Sequence, residues 1–268
     1  IEAAKERYRR IGGRSPLLQI TLEQAEKLEA ELNATQDGNF KVYVGMRHWD
    51  PYIKDTLKKI KDDGIEDVIA VIMAPHTTRA STGGYNIAVD EALEELGGGV
   101  KLRYVDDWHT NHFFIEALYE KIGEILGVLP VDSEDFVTIF TAHSLPVKML
   151  ENDPYVDKLK ESIREILKRI PLNSRLAFQS KGGGAMEWIG PDAVDVIKEA
   201  KSADKKGVLL VPLGFVSDHV ETLYDIDVLM GEACEEVGID YARAGSLNTS
   251  AKFIELLCDV VLAKVNVS

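Results

Sequence analysis

Short runs rich in Val, Ile and Leu recur along the chain and predict strands over 41–45, 67–73, 101–105, 136–141, 175–179, 207–213 and 241–244. Between most of them the apolar positions switch to helical spacing. In 50–63, Ile53, Leu57 and Ile60 fall on one side, with charged residues on the other. Similar patterns predict helices over 21–32, 86–96, 113–126, 156–170 and 191–202. Gly64, the triplet Gly97 to Gly99, and Gly127 stand where helices need a left-handed residue to stop. Apolar strands alternating with amphipathic helices predict an α/β fold built on a doubly wound parallel sheet. The stretch 127–135 follows a long helix, contains Pro130 and precedes a new strand, so it is the best internal boundary. The expected organisation is an N-terminal half over 1–128, a second half over 129–247 and a final helix within 248–268, apolar on one side through Phe253, Leu256, Leu257, Val260 and Val261.

Composition narrows the class. Of 268 residues, 45% are hydrophobic and 28% charged, as in a water-soluble globular chain with a sizeable core. No apolar run reaches the length of a membrane span. The opening Ile1-Glu2-Ala3-Ala4-Lys5-Glu6-Arg7-Tyr8 is charged and helical in character, unlike a signal peptide, and it lacks Met. The net charge of −14 argues against nucleic acid as a partner, since a binder needs a basic face. Cys234 and Cys258 have no metal-ligand spacing and fall in helical patterns. They read as buried, reduced thiols of a cytoplasmic protein.

The candidate chemistry lies where strands end. In an open parallel sheet, ligands bind beyond the carboxyl ends of the strands. His143 follows the apolar run 136–142, and Glu221 follows the run 208–216 after Ser217, Asp218, His219 and Val220. A His supplies a base near neutral pH with little tuning. Asp218, Glu221 and Asp225 are spaced by three and four, which puts them on one face of a helix that Ser217 or Asp218 could cap. Such a row suits a hydrated divalent cation. Leu229, the next position on that face, ends it. His219 points elsewhere on a helix and suits an orienting hydrogen bond. Taken singly, each has a plainer reading: His143 as a core histidine, Glu221 as a first-turn carboxylate favoured by the helix dipole. Gly182, Gly183 and Gly184 follow a strand, but no nucleotide-binding glycine motif is present.

The motifs Ala142-His143-Ser144-Leu145-Pro146 and Ser217-Asp218-His219-Val220-Glu221-Thr222-Leu223-Tyr224-Asp225 together resemble ferrochelatases, which insert ferrous iron into porphyrins. Further matching stretches are Ile11-Gly12-Gly13-Arg14-Ser15-Pro16-Leu17, Ala74-Pro75-His76, Gln179-Ser180-Lys181, Trp188-Ile189-Gly190-Pro191-Asp192 and Ser246-Leu247-Asn248. They occur in the family's order from the first residues almost to the last. The resemblance implies two Rossmann-like halves facing a cleft, with the C-terminal helix packed back on the first. Only 11 residues precede Gly12, so the family's first strand is expected to be absent from this sequence.

By the same resemblance, His143 is the pyrrole-facing base or metal ligand, Glu221 its catalytic partner, and Asp225 a further metal ligand on the acidic path. Ser15, Arg47, His76, Tyr85, Trp108, Ser180, Lys181, Trp188 and Phe215 become candidate porphyrin contacts. Arg14, Arg47, Arg79 and Lys181 are cations that could receive porphyrin carboxylates on so acidic a chain. His76 tilts the substrate toward coproporphyrin III over protoporphyrin IX. Glu187 stands where relatives often have Pro. Fe2+ enters as substrate, no tightly bound cofactor is expected, and two cysteines cannot hold a four-cysteine iron–sulfur cluster. Transient partners in haem delivery fit the resemblance. The competing readings are a cobalt or nickel tetrapyrrole chelatase, a non-catalytic porphyrin or haem carrier, and a two-lobed binding protein.

Overall fold

Strand β3 (Phe136–His143) is buried along all but its last residue, as a continuous apolar run in the middle of a parallel sheet requires. It pairs in parallel with β4 (Ser174–Gln179) on one side and β5 (Gly207–Pro212) on the other. β6 (Asp240–Arg243) adds to β5, giving the order β4-β3-β5-β6. A second sheet pairs β1 (Asp67–Val71) with β2 (Lys101–Val105), also in parallel. The computed structural model describes residues 2–36, 39–79, 82–105, 107–129 and 135–265.

Helices alternate with these strands: α1 (Glu2–Arg10), α2 (Leu17–Thr35), α3 (Ile53–Asp62), α4 (Thr82–Glu95), α5 (His112–Leu126), α6 (Tyr155–Leu167), α7 (Ala193–Ser202), α8 (Gly231–Val237) and α9 (Ala251–Val265). Each contains or overlaps a predicted helical segment except α1, which the charged opening foreshadows, and α8. The four-stranded sheet sorts its side chains by pleat. Phe136, Phe140, Leu209 and Val211 face a core shared with α2, α5, α6 and α9. Val137, Ile139, Val208 and Leu210 face α7, α8 and the segment before α8. α9 packs against α2, α5 and both strands of the smaller sheet. The expected boundary at 127–135 includes residues 130–134, which lie outside the described residues.

One predicted strand does not form. Residues 41–45 make no ladder, and two of their backbone groups take side-chain partners. The Val42 N–H donates to the Glu29 carboxylate at 2.7 Å, and the Val44 carbonyl accepts from the Thr56 hydroxyl at 2.7 Å. Both cysteines are buried and unpaired. No helix among the described residues is long and apolar enough to cross a membrane.

Candidate active site

His143 is the last residue of β3, one of the sheet's two inner strands, and its side chain is one-third exposed. The ring Nδ1–H donates to the Ser144 carbonyl at 2.5 Å. A carbonyl only accepts, so Nδ1 carries a proton and the neutral ring keeps its lone pair on Nε2. Beside it the chain leaves β5 through Gly214, where a Cβ would come within 2.9 Å of the Ala142 Cβ. That close passage brings the following turn against the end of β3.

The turn delivers two more groups to the same place. Glu221 Oε2 lies 3.6 Å from His143 Nε2 and 3.8 Å from His219 Nε2. His219 donates its own Nδ1–H to the Ser217 carbonyl at 3.1 Å, so its Nε2 is likewise the free nitrogen. Two imidazole lone pairs and a carboxylate oxygen therefore converge, and they repel unless a proton or cation sits among them. Phe215 flanks the group, its ring centroid 4.8 Å from that of His219 and 6.4 Å from that of His143. Gln179, at the end of β4, donates from Nε2 to the Glu221 main-chain carbonyl at 2.8 Å.

The electrostatics follow from the contacts. Burial works against a charged His143, but the Glu221 carboxylate outweighs it and leaves the His143 pKa above the ordinary imidazole value. Burial would raise Glu221; the two histidines prevail and hold it down at about 2. Asp225 is 5% exposed and accepts a hydrogen bond from the Ser180 hydroxyl. Burial, reinforced by Glu221, pushes its pKa up. Two carboxylates one turn apart are thus poised differently, Glu221 firmly ionised and Asp225 readier to take a proton.

The acidic segment is wound as a π-helix over Glu221–Met230, a form often found at functional sites. Glu221 and Asp225 share its inner side, and Leu229 is exposed beyond them. Asp218 does not continue the row. Its carboxylate turns to Arg243, Ser246 and Asn248. Neither Ser217 nor Asp218 caps the helix; the His219 N–H donates instead to the Thr222 hydroxyl at 2.9 Å. From its position in the sequence, His219 is expected only to orient the site by a hydrogen bond. The signal for its place was the i, i+2 spacing of His219 and Glu221 just before the helix begins, which follows turn geometry. Among the described residues, no group of three or more His, Cys, Asp or Glu side chains has the geometry of a preformed metal cage.

The profile of the Ferrochelatase family matches residues 1–265. The chain belongs to the ferrochelatase family. A ferrochelatase from Herpetosiphon aurantiacus is 39% identical over 264 residues, covering 97% of this chain and 87% of that protein. A coproporphyrin III ferrochelatase from Geobacillus sp. is 36% identical over 272 residues, covering 99% and 87%. Among solved structures, SirB from Bacillus subtilis with Fe3+ superposes with a TM-score of 0.63 over 91% of this chain and 89% of its own, at 13% identity. That likeness shows a shared chelatase fold.

Within this ferrochelatase-family chain, the remaining candidate contacts are scattered. Ser180 and Phe215 stand at the His143–Glu221 site. Trp188 is half-buried, its ring so close to Gly182 that a Cβ there would approach within 2.5 Å. Lys181 pairs with Asp192 at 3.0 Å. Arg47 lies over the Tyr85 ring, 5.7 Å from its centroid, and Ser15 accepts from the Leu17 N–H. Trp108 does not wall a slot: it is 2% exposed and packs among Phe114 and Phe253, because its strand-to-helix loop dives into the main core. His76 is 3% exposed, held by Ser162 at 2.9 Å and flanked by His109 and Phe114. Burial drives its pKa down to about 3. In this conformation it presents no face to a ring, and its tilt toward coproporphyrin loses its structural ground.

Proposed function

We propose that this chain inserts Fe2+ into a porphyrin, either coproporphyrin III or protoporphyrin IX, as a step of haem biosynthesis. The observation that carries the reading is the convergence of two imidazole Nε2 atoms on one Glu221 oxygen. Metallation must remove two pyrrole N–H protons, and the site offers two imidazole lone pairs to take them. Each proton arrives beside an ionised carboxylate that stabilises the new imidazolium. His143, on the strand end, takes the first. His219 and Glu221 relay the second outward.

The iron is the other substrate. Asp225 and Glu221 form a two-oxygen approach along the π-helical segment, where hydration water can be exchanged stepwise. A bent ring exposes lone pairs on its nitrogens; the flat metallated product fits such a site less well and leaves. A mere carrier would need no base.

The deciding experiment is anaerobic Fe2+ insertion into each porphyrin, followed by absorbance, with Co2+ and Ni2+ in parallel. Iron product from the parent and none from His143→Ala establishes the chelatase. Porphyrin binding without insertion in either protein overturns it in favour of a carrier. Preferential use of Co2+ or Ni2+ moves the chain to another tetrapyrrole chelatase.

A further inference from the structure

We propose that Arg243, which no reading of the sequence singled out, is a positioning residue that fixes both ends of the segment bearing Glu221 and Asp225. The proposal rests on the function given above, because its purpose is to set Glu221 against His143 and His219.

Arg243 ends β6, with its side chain largely buried. One guanidinium nitrogen, Nη2, donates to Asp218 Oδ1 at 2.5 Å; the other, Nη1, donates to Asp227 Oδ2 at 3.2 Å. These carboxylates bracket the site in sequence: Asp218 precedes His219 and Glu221, and Asp227 follows Asp225. A planar, rigid fork that holds two carboxylates also fixes the distance between them. A flexible ammonium cannot do both equally well.

Each end has further supports. Tyr241, two residues earlier and so on the same face of β6, donates its hydroxyl to Asp227 Oδ1 or the Ile226 carbonyl, each at 3.3 Å. At the other end, Asp218 Oδ1 also accepts from the Ser246 hydroxyl at 2.7 Å, and Oδ2 from Asn248 Nδ2 at 2.9 Å. The Asp218 N–H returns a bond to Asn248 Oδ1 at 2.8 Å. Gln24 of α2 donates to both the Ser217 hydroxyl and the Asn248 carbonyl. The Ser246-Leu247-Asn248 motif thereby acquires a physical purpose: it secures the residue that starts the turn into His219 and Glu221. None of Arg243, Asp218 or Asp227 touches His143 or Glu221 in the contacts seen, so the effect passes through the backbone and through Thr222, whose hydroxyl lies 3.3 Å from Asp218 Oδ1 and accepts from the His219 N–H.

The test compares Arg243→Gln and Arg243→Lys with the parent by two independent readouts. In Arg243→Gln, hydrogen exchange of the amides in 219–227 accelerates about tenfold or more, while the strands stay protected. In the same variant kcat for Fe2+ insertion falls about tenfold or more, with the porphyrin KM within about twofold of the parent. Arg243→Lys restores part of both. Unchanged exchange in Arg243→Gln overturns the proposal, as does accelerated exchange with an unchanged kcat. Should Arg243→Gln not fold, Asp227→Asn removes one arm only and must give the same pattern at smaller size; no change in either readout then overturns the proposal. A parent that inserts no metal refutes the proposed function, whereas the exchange data still judge the clamp.

Discussion

His143 Nε2 stands 3.6 Å from Glu221 Oε2, with the opposite ring nitrogen committed to the Ser144 carbonyl. Proton acceptance can therefore occur only at the nitrogen facing the carboxylate. Because His143 must be neutral to act and its pKa is raised, kcat falls on the acid side with an apparent pKa above the ordinary imidazole value of about 6.5. Glu221→Gln removes the anion that holds the proton, so the acid limb moves to lower pH while the maximal rate drops. A pH profile whose acid limb is unmoved by Glu221→Gln would refute the pairing.

The same pair makes stability depend on pH. For His143 the folded pKa lies above the unfolded one, so its contribution is complete below the ordinary imidazole pKa and drains away as pH rises through the raised value. For Glu221 the folded pKa is depressed to about 2, so its contribution is present above the usual glutamate pKa and is lost as pH falls toward 2. Thermal melting of the parent and Glu221→Gln across pH reads both limbs. The difference in Tm is expected to be largest in the weakly acid range between them.

His219 shares the carboxylate at 3.8 Å and should share the proton work. His219→Ala is expected to lower kcat by about ten- to hundredfold, a general acid–base effect, with porphyrin affinity retained. Porphyrin fluorescence quenching gives the affinity and anaerobic turnover gives the rate. A loss of affinity with kcat intact would make His219 a ring contact instead.

The acidic approach stops at Leu229, which is 38% exposed. Leu229→Glu continues it and should lower the KM for Fe2+ several-fold at low ionic strength, an advantage that added salt removes. Asp225→Asn should raise that KM. If neither substitution changes the metal KM, the iron reaches the ring by another side.

Two buried candidates should behave as core residues. Trp108→Ala is expected to cost about 3–5 kcal/mol in urea unfolding, with the porphyrin KM of the folded fraction unchanged. Ser162→Ala strips the acceptor from the His76 Nε2–H inside the protein and should cost about 1–3 kcal/mol. A porphyrin KM that rises without loss of stability would restore either residue to the substrate slot.

Hydrophobic pattern alone located most of the framework, because strands buried on both faces, such as Phe136–His143 and Gly207–Pro212, leave an unbroken apolar signature. It failed at 41–45, where a strand-like composition is satisfied by Glu29 and Thr56, partners that local periodicity cannot reveal. His143, Glu221 and Asp225 were legible as polar groups at strand ends and at one-turn spacing. The divergence of Asp218 was not, since it depends on Arg243, Ser246 and Asn248, which lie 25 to 30 residues away. Trp108 and His76 misled for the opposite reason. Both stand near strand ends, but a loop entering the core looks in sequence much like a loop entering a binding site.

The strand order β4-β3-β5-β6 puts the earliest of the four in an inner position. As the polypeptide emerges from the ribosome, His143 and Gln24 are made before the other groups that orient Glu221. Gln179 follows, then Glu221 itself, and the Arg243 brace arrives only with the last strand. These contacts span long loops, whose closure entropy delays them in folding. Competence is thus tied to a finished sheet: a half-made chain holds His143 but not the geometry around it, and truncation just before β6 leaves Glu221 and Asp225 without the Arg243 brace.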